Sequence, residues 1–314
     1  MSTYIELLEK DYVRQIEFLN IKKYHELGFK GNGITILNAE GASDHREMTS
    51  GNVIKMYAPE ATLLESTIST KTTGNTVNYA TINLNGETID LEDAIDKYNI
   101  KILTRSFAGS SSNAFLQYLR DLQRRKGIIV FSHSANDPDR EGVWARHDTG
   151  ITVSASKMFE DGSIKVVYYG SKGEVDFTCF MAKGTGSSAS SPGLASMTAL
   201  LLQRYGDFNQ EECVEILKSL SLKLPNIEDY KQGWGLPILP LTDKLEILER
   251  LRGENMADFK DVEKDRWSKP AIDRCVNEDL LLGFPDNTFR PTEYVTREQF
   301  AQILTRILDR MEGR

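Results

Sequence analysis

The most constraining feature of this chain is a repeated change of hydrophobic period, in which short apolar, β-branched runs follow stretches patterned as helices. GITIL (33 to 37) follows a short helical lead-in over residues 1 to 30 that ends at Gly28 and Gly31. IKILTRSF (100 to 107) follows LEDAIDKYN, and GIIVFSHS (127 to 134) follows NAFLQYLRDLQRRK. Runs that are apolar at consecutive positions suit strands buried on both faces. Strands alternating with helices are joined by right-handed crossovers into a parallel sheet, so the pattern predicts an α/β fold. Ligands of such sheets bind where loops leave the carboxyl ends of the strands, which directs attention to the segments after Leu37, Phe107 and Ser134. Residues 151 to 170 predict a hairpin around Asp161-Gly162, and SPGLASMTALLLQRYG (191 to 206) predicts a buried helix with Pro192 near its first turn and Gly206 as its cap.

A length of 314 residues suits one large domain with a smaller one, or two medium ones. With 40% hydrophobic and 27% charged residues, and no apolar stretch approaching a membrane span of about 18 residues, the composition is that of a globular protein with no membrane partner. A net charge of -8 argues against nucleic acid, which demands a concentrated basic field. The basic cluster Arg124, Arg125 and Lys126 ends a helical pattern, where it complements the helix dipole. Cys179, Cys213 and Cys275 are odd in number and lack CxxC spacing, which implies reduced thiols and no zinc site. The opening MSTYIELLEKDYVRQIEF has no apolar core segment, so the expectation from it is a cytoplasmic protein, reaching the outside by lysis or on a phage particle.

Serine-based acyl transfer needs a hydroxyl at a sharp turn, a histidine to take its proton, a carboxylate to orient that histidine, and donors for the oxyanion. GSSASSPGLAS (186 to 196) places small residues and Pro192 ahead of a buried helix. It resembles the nucleophile motif of the subtilases, the subtilisin-like serine proteases, and alignment on Pro192 implies Ser188 as nucleophile. GIIVFSHSAND (127 to 137) is similar to the family's strand ending in Ala-Gly-Asn, which implies Asn136 as the oxyanion donor. DHREMTSGNVIKMYAPEATLLEST resembles the stretch that carries the family histidine, implying His45 as base; Ala58-Pro59-Glu60-Ala61 match, while Arg46-Glu47-Met48 replace Gly-Thr-His. His133 is the runner-up base, placed by its spacing from Asn136 in the buried strand. For the orienting acid, GITILNAEG offers Asn38 or Glu40, and Glu40 is the choice because only a carboxylate neutralises an imidazolium.

IKILTRSFAGSSS resembles the family's substrate-pairing edge strand, implying that Ser106, Phe107, Ala108 and Gly109 line the peptide-binding cleft. EDYKQGWGLPILP (228 to 240) resembles the family's closing segment. The resemblance thus implies a subtilisin-like parallel sheet flanked by helices over residues 1 to 240, acting as a serine endopeptidase on peptide or protein substrates without a cofactor. Calcium is common in the family, but no ligand cluster for it stands out. The altered residues after His45 leave open a second expectation, a catalytically inactive subtilase fold kept as a scaffold or binding component of a phage or cell-surface assembly.

Residues 241 to 256 form a charged amphipathic pattern that predicts a helical linker. The remaining stretch, 257 to 314, carries Phe259-Lys260-Asp261-Val262, Trp267, Gly283-Phe284-Pro285-Asp286, Phe289-Arg290-Pro291 and Thr296-Arg297. It resembles one S-layer homology module, a small all-α unit. The resemblance implies binding to a cell-wall polymer, with Trp267 and Arg297 as ligand contacts, or self-association through the module.

Overall fold

The buried apolar runs form the middle of one sheet. The computed structural model describes residues 13–40, 52–73, 76–105, 113–134, 136, 150–170, 175–181, 186–254, 259–263, 265–277, 280–281, 283–284 and 286–311. It divides into two units, Met1–Asp243 and Lys244–Arg314.

In the first unit, β1 (Thr35–Asn38) is buried at all four positions and pairs in parallel with β2 (Thr62–Glu65) on one side and β6 (Ile100–Arg105) on the other. β6 pairs with β7 (Ile129–His133), β7 with β8 (Ile151–Met158), and β8 with β10 (Phe177–Phe180), all in parallel. The sheet order is β10-β8-β7-β6-β1-β2. From β1 the chain steps outward to β2, then returns to β6 and runs the other way. The order therefore reverses at β1 and β6, and a crevice opens beyond the carboxyl ends of strands at such a switch point. β9 (Ile164–Tyr168) folds back antiparallel on β8, and Gly162 at φ 84° occupies the expected turn.

A second sheet of three antiparallel strands, β3 (Ile68–Thr73), β4 (Thr76–Leu84) and β5 (Glu87–Asp90), was not apparent from the sequence. Most of its Thr and Ser residues face solvent, so it lacks the apolar run that marks the main strands. Its one local signature is Asn85-Gly86, with φ of 53° and 88°, the paired left-handed residues of a two-residue hairpin. Ala80, Ile82, Leu84 and Ile89 turn inward and join Leu91, Ala94 and Ile95 in the core.

Short α1 (Ile21–Glu26) and α2 (Asn52–Tyr57) precede the main helices. α3 (Leu91–Tyr98) is capped by the Asp90 side chain, which accepts from the Glu92 amide. α4 (Asn113–Lys126) ends in the basic cluster, two of whose residues are paired: Arg125 donates to both Glu92 carboxylate oxygens at 2.6 and 2.7 Å, and Lys126 meets Asp96 at 2.6 Å. α5 (Ser187–Tyr205) is buried at every position from Ser187 to Leu202, as expected of a helix surrounded by other elements. It packs on β6, β7, β8 and β10. α5 begins four residues earlier than expected, so Pro192 lies inside it rather than in its first turn. Pro192 has no N–H to give the Ser188 carbonyl, and its own carbonyl accepts from Ser196 Oγ at 2.7 Å. α6 (Gln210–Ser219) follows, with a reciprocal capping box between Asn209 and Glu212.

The second unit contains α7 (Glu246–Glu254), α8 (Lys269–Asn277) and α9 (Arg297–Met311). Its small core is Phe259, Val262 and Ile272, with Val276 and Phe289 packed against it. The Asp261 carboxylate accepts from the Phe289 and Arg290 amides at 2.8 and 2.7 Å, pinning the turn-rich middle to the opening of the module. Thr296 and Gln299 cap α9 reciprocally: the Thr296 hydroxyl accepts from the Gln299 amide, and the Gln299 side chain from the Thr296 amide.

Leu200→Ala, in the fully buried part of α5, should lower the unfolding free energy of the first unit by about 2–5 kcal/mol in chemical denaturation. The hydrogen bonds from Arg125 hold the Glu92 carboxyl below its ordinary value, so this pair stabilises the fold above the unfolded carboxylate pKa and is lost as pH falls through the folded one. Because the pair is largely exposed, Arg125→Ala should cost under about 1 kcal/mol at pH 7, and the difference from wild type should shrink on acidification below about pH 4.

Candidate active site

The carboxyl end of β7 and the first turn of α5 meet at the switch-point end of the sheet. Asn136 Oδ1 accepts two hydrogen bonds from one residue, the Ser187 backbone N–H at 2.9 Å and the Ser187 hydroxyl at 2.8 Å. With Oδ1 engaged by Ser187, Nδ2 is the donor that remains on the same amide. Asn136 is exposed, whereas Ser187 is fully buried and Ser188 is 7% exposed.

Gly186 makes this approach feasible. A Cβ at that position would stand 2.7 Å from Asn136 Cγ, inside van der Waals contact. Its φ of −136° is outside the left-handed region, so glycine is needed for room rather than for conformation. Ser191 Oγ lies 3.2 Å from Thr104 Oγ1, which ties the next turn of α5 to β6. α2 packs on the same turn through Val53 against Ala189, the neighbour of Ser188.

His133, the last residue of β7, is 5% exposed and places Nδ1 3.2 Å from Ser187 Oγ. The sequence spacing put this histidine in the buried strand, and it lies there; its meeting with Ser187, across 54 positions of sequence, had no local signal. His25 Nε2 lies 2.9 Å from the Tyr57 carbonyl, at the last residue of α2.

Asn38 ends β1, between Glu65 of β2 and Thr104 of β6. It is fully buried, and neither amide atom has a hydrogen-bond partner among the described residues. Such burial costs roughly 1–3 kcal/mol per polar group. Glu40, two residues further, is 2% exposed. Arg105 closes β6 immediately before the expected substrate segment; burial draws its guanidinium down to about 10, and it lies over the Phe115 ring at 5.5 Å. His45 and the segment Ser106, Phe107, Ala108 and Gly109 lie outside the described residues.

Cys179 is buried beneath α5, and burial pushes its thiol up to about 12, which keeps it protonated and unreactive. Among the described residues, no group of three or more His, Cys, Asp or Glu side chains could hold a metal ion, and no helix is long and apolar enough to cross a membrane. A cavity of about 590 Å³ is lined by Gly127, Gly150, Ile151 and Asp176, at the amino ends of β7, β8 and β10, the opposite end from the serine turn.

In the second unit Trp267 is 90% exposed and Arg297 is the exposed first residue of α9. A hollow of about 450 Å³ is lined there by Phe284, Arg290, Tyr294, Gln299 and Arg306 among others. Arg290 stacks 4.0 Å above the Phe284 ring and pairs with Asp286 at 3.1 Å.

Comparison with known proteins gives two kinds of match. Residues 258–301 match the S-layer homology domain family. The same region is 49% identical over 51 residues to the outer membrane protein SlpA of Deinococcus radiodurans, covering 16% of this chain and 4% of that protein. It is 40% identical over 60 residues to SlpA of Thermus thermophilus (19% and 6%), and 33% identical over 64 residues to the cellulosome-anchoring protein of Acetivibrio thermocellus (20% and 14%). The chain therefore spans a small fraction of the curated relatives it matches. Among solved structures it is similar to the prenylagaramide maturation protease PagA (15% identity, TM-score 0.46, 73% of this chain and 98% of that one). It is also similar to MycP1 of the ESX-1 type VII secretion system (11%, 0.49, 73% and 87%) and to fervidolysin of Fervidobacterium pennivorans, a keratinolytic enzyme related to subtilisin (12%, 0.45, 70% and 43%).

These relatives correct one expectation. Cytoplasmic residence was inferred from the composition of the first 18 residues, whereas the module at the other end matches outer-membrane and cell-surface proteins. The cell envelope replaces the cytoplasm as the location to which the sequence points. The opening residues misled because their polarity describes only themselves and is silent on what the folded module holds.

The fit of Asn136 against Gly186 can be checked directly. Gly186→Ala should destabilise the first unit by about 1–3 kcal/mol in chemical denaturation. In an Asn136→Ala background, with the obstructing amide gone, the same substitution should cost much less.

Proposed function

We propose that the first unit is a serine endopeptidase in which Ser188 attacks the peptide carbonyl, His45 takes and returns the proton, Glu40 orients the imidazole and Asn136 Nδ2 donates to the oxyanion. The observation that carries this reading is the paired acceptance at Asn136 Oδ1, because it anchors the amide beside the turn that bears Ser188 and leaves Nδ2 as its donor. A preorganised donor at that place acts on charge that develops only in the transition state. The segment containing His45 leads into α2, which packs against Ala189, the neighbour of Ser188, and this supports His45 as the base. Ser106, Phe107, Ala108 and Gly109, which follow the last residue of β6 in the sequence, would line the peptide-binding cleft in this reading.

Labelling by a fluorophosphonate probe tests the reading. Wild-type protein should be labelled, and Ser188→Ala should not. Asn136→Ala should lower kcat for a peptide substrate by about a hundredfold to a thousandfold with KM little changed. The scaffold alternative draws on Asn38, a neutral residue at the end of β1, and absence of labelling in folded wild-type protein would favour it.

The second unit, in this reading, holds the chain at the cell envelope by binding a wall polymer. The exposed Trp267 and Arg297 supply an aromatic face and a cation for an acidic saccharide. In sedimentation with purified cell wall, the full chain should be retained, and Arg297→Ala should be retained markedly less. Equal retention of the two would remove Arg297 from the site.

A further inference from the structure

We infer that His133 is a positioning residue that locks the amide of Asn136 through Ser187, an inference that rests on the peptidase reading above for its consequence in catalysis. Hydrogen-bond direction is what decides it. Asn136 Oδ1 can only accept, so the Ser187 O–H, 2.8 Å away, points at it. The hydroxyl's proton is thereby committed, and Ser187 Oγ faces His133 Nδ1, 3.2 Å away, as an acceptor. Nδ1 of His133 must then carry the hydrogen. A neutral imidazole so fixed carries no proton on Nε2.

The three side chains form a directed chain, His133 Nδ1–H to Ser187 Oγ–H to Asn136 Oδ1, with the Ser187 N–H as a second donor to the same oxygen. His133 and Ser187 are almost wholly buried, so water competes poorly for these bonds, while Asn136 is exposed. An exposed amide could otherwise rotate and present its oxygen to a developing oxyanion. With the serine hydroxyl held by His133, two donors oppose that rotation. The same histidine thus serves the oxyanion donor from behind, without touching the substrate.

The test uses the full chain and two kinds of readout. First, nitrogen-15 NMR at a pH where the ring is neutral should find the His133 proton on Nδ1 and none on Nε2. A proton on Nε2 alone would overturn the chain of bonds whether or not the protein is active. Second, on a peptide substrate, His133→Leu should lower kcat about tenfold or more with KM within twofold, a smaller loss than removing the oxyanion donor outright. His133→Asn, whose Nδ2 takes the place of Nδ1, should recover most of the rate. In the Asn136→Ala background, His133→Leu should change kcat less than about twofold, because the group it positions is already gone. An equal loss in both backgrounds, or no rescue by asparagine, would overturn the inference. If wild-type protein fails to label with fluorophosphonate while the Nδ1 proton is found, the peptidase reading falls and the lock stands. If it labels and the proton sits on Nε2, the peptidase reading stands and the lock falls.

Discussion

One side-chain oxygen joins the two halves of the candidate site. Asn136 Oδ1, just past β7, accepts both polar hydrogens of Ser187 at the start of α5, and the rest of the serine turn is arranged around that junction. Gly186 has no side chain because the amide occupies its space. Ser188 is presented one residue later, on a helix whose sides are closed by β6, β7, β8 and β10. The sheet order contributes the setting: reversal at β1 and β6 leaves an opening beside the carboxyl ends, next to which β7 and α5 converge.

How much of this could be read in the chain depended on burial. β1, β6 and β7 were legible because nearly every position is enclosed and the residues are correspondingly apolar and branched. The three-stranded sheet of residues 68–90 was missed because its outward positions carry Thr, Ser, Lys and Asn, which read as loop; only Asn85-Gly86 announced it. The start of α5 was placed late because a run of serines has little helix propensity, and enclosure rather than propensity makes it helical. Contacts such as His133 with Ser187 join distant positions and leave no local trace. At the end of β1 the sequence offered two candidates for the orienting group; the fold buries both, Asn38 as the strand's last residue and Glu40 two residues on.

The two units speak to different questions. The first carries the residues on which the proposed reaction rests. The second matches a family of envelope proteins and bears on location instead. Its architecture shows how a very small core is made to suffice. Phe259, Val262 and Ile272 are few, and the Asp261 carboxylate adds a polar clamp by gathering the amides of Phe289 and Arg290 across the module. At the other end of the module Gln299 and Thr296 complete the cap of α9.

The enclosure of α5 from Ser187 to Leu202 has a consequence for how such a protein loses its competence. A helix walled in on every side cannot fray or slide by itself, because each displacement would open a void against four strands. The serine turn therefore belongs to the last cooperative unit to melt, and heat or denaturant should abolish the site and the fold in a single step rather than silencing the site first.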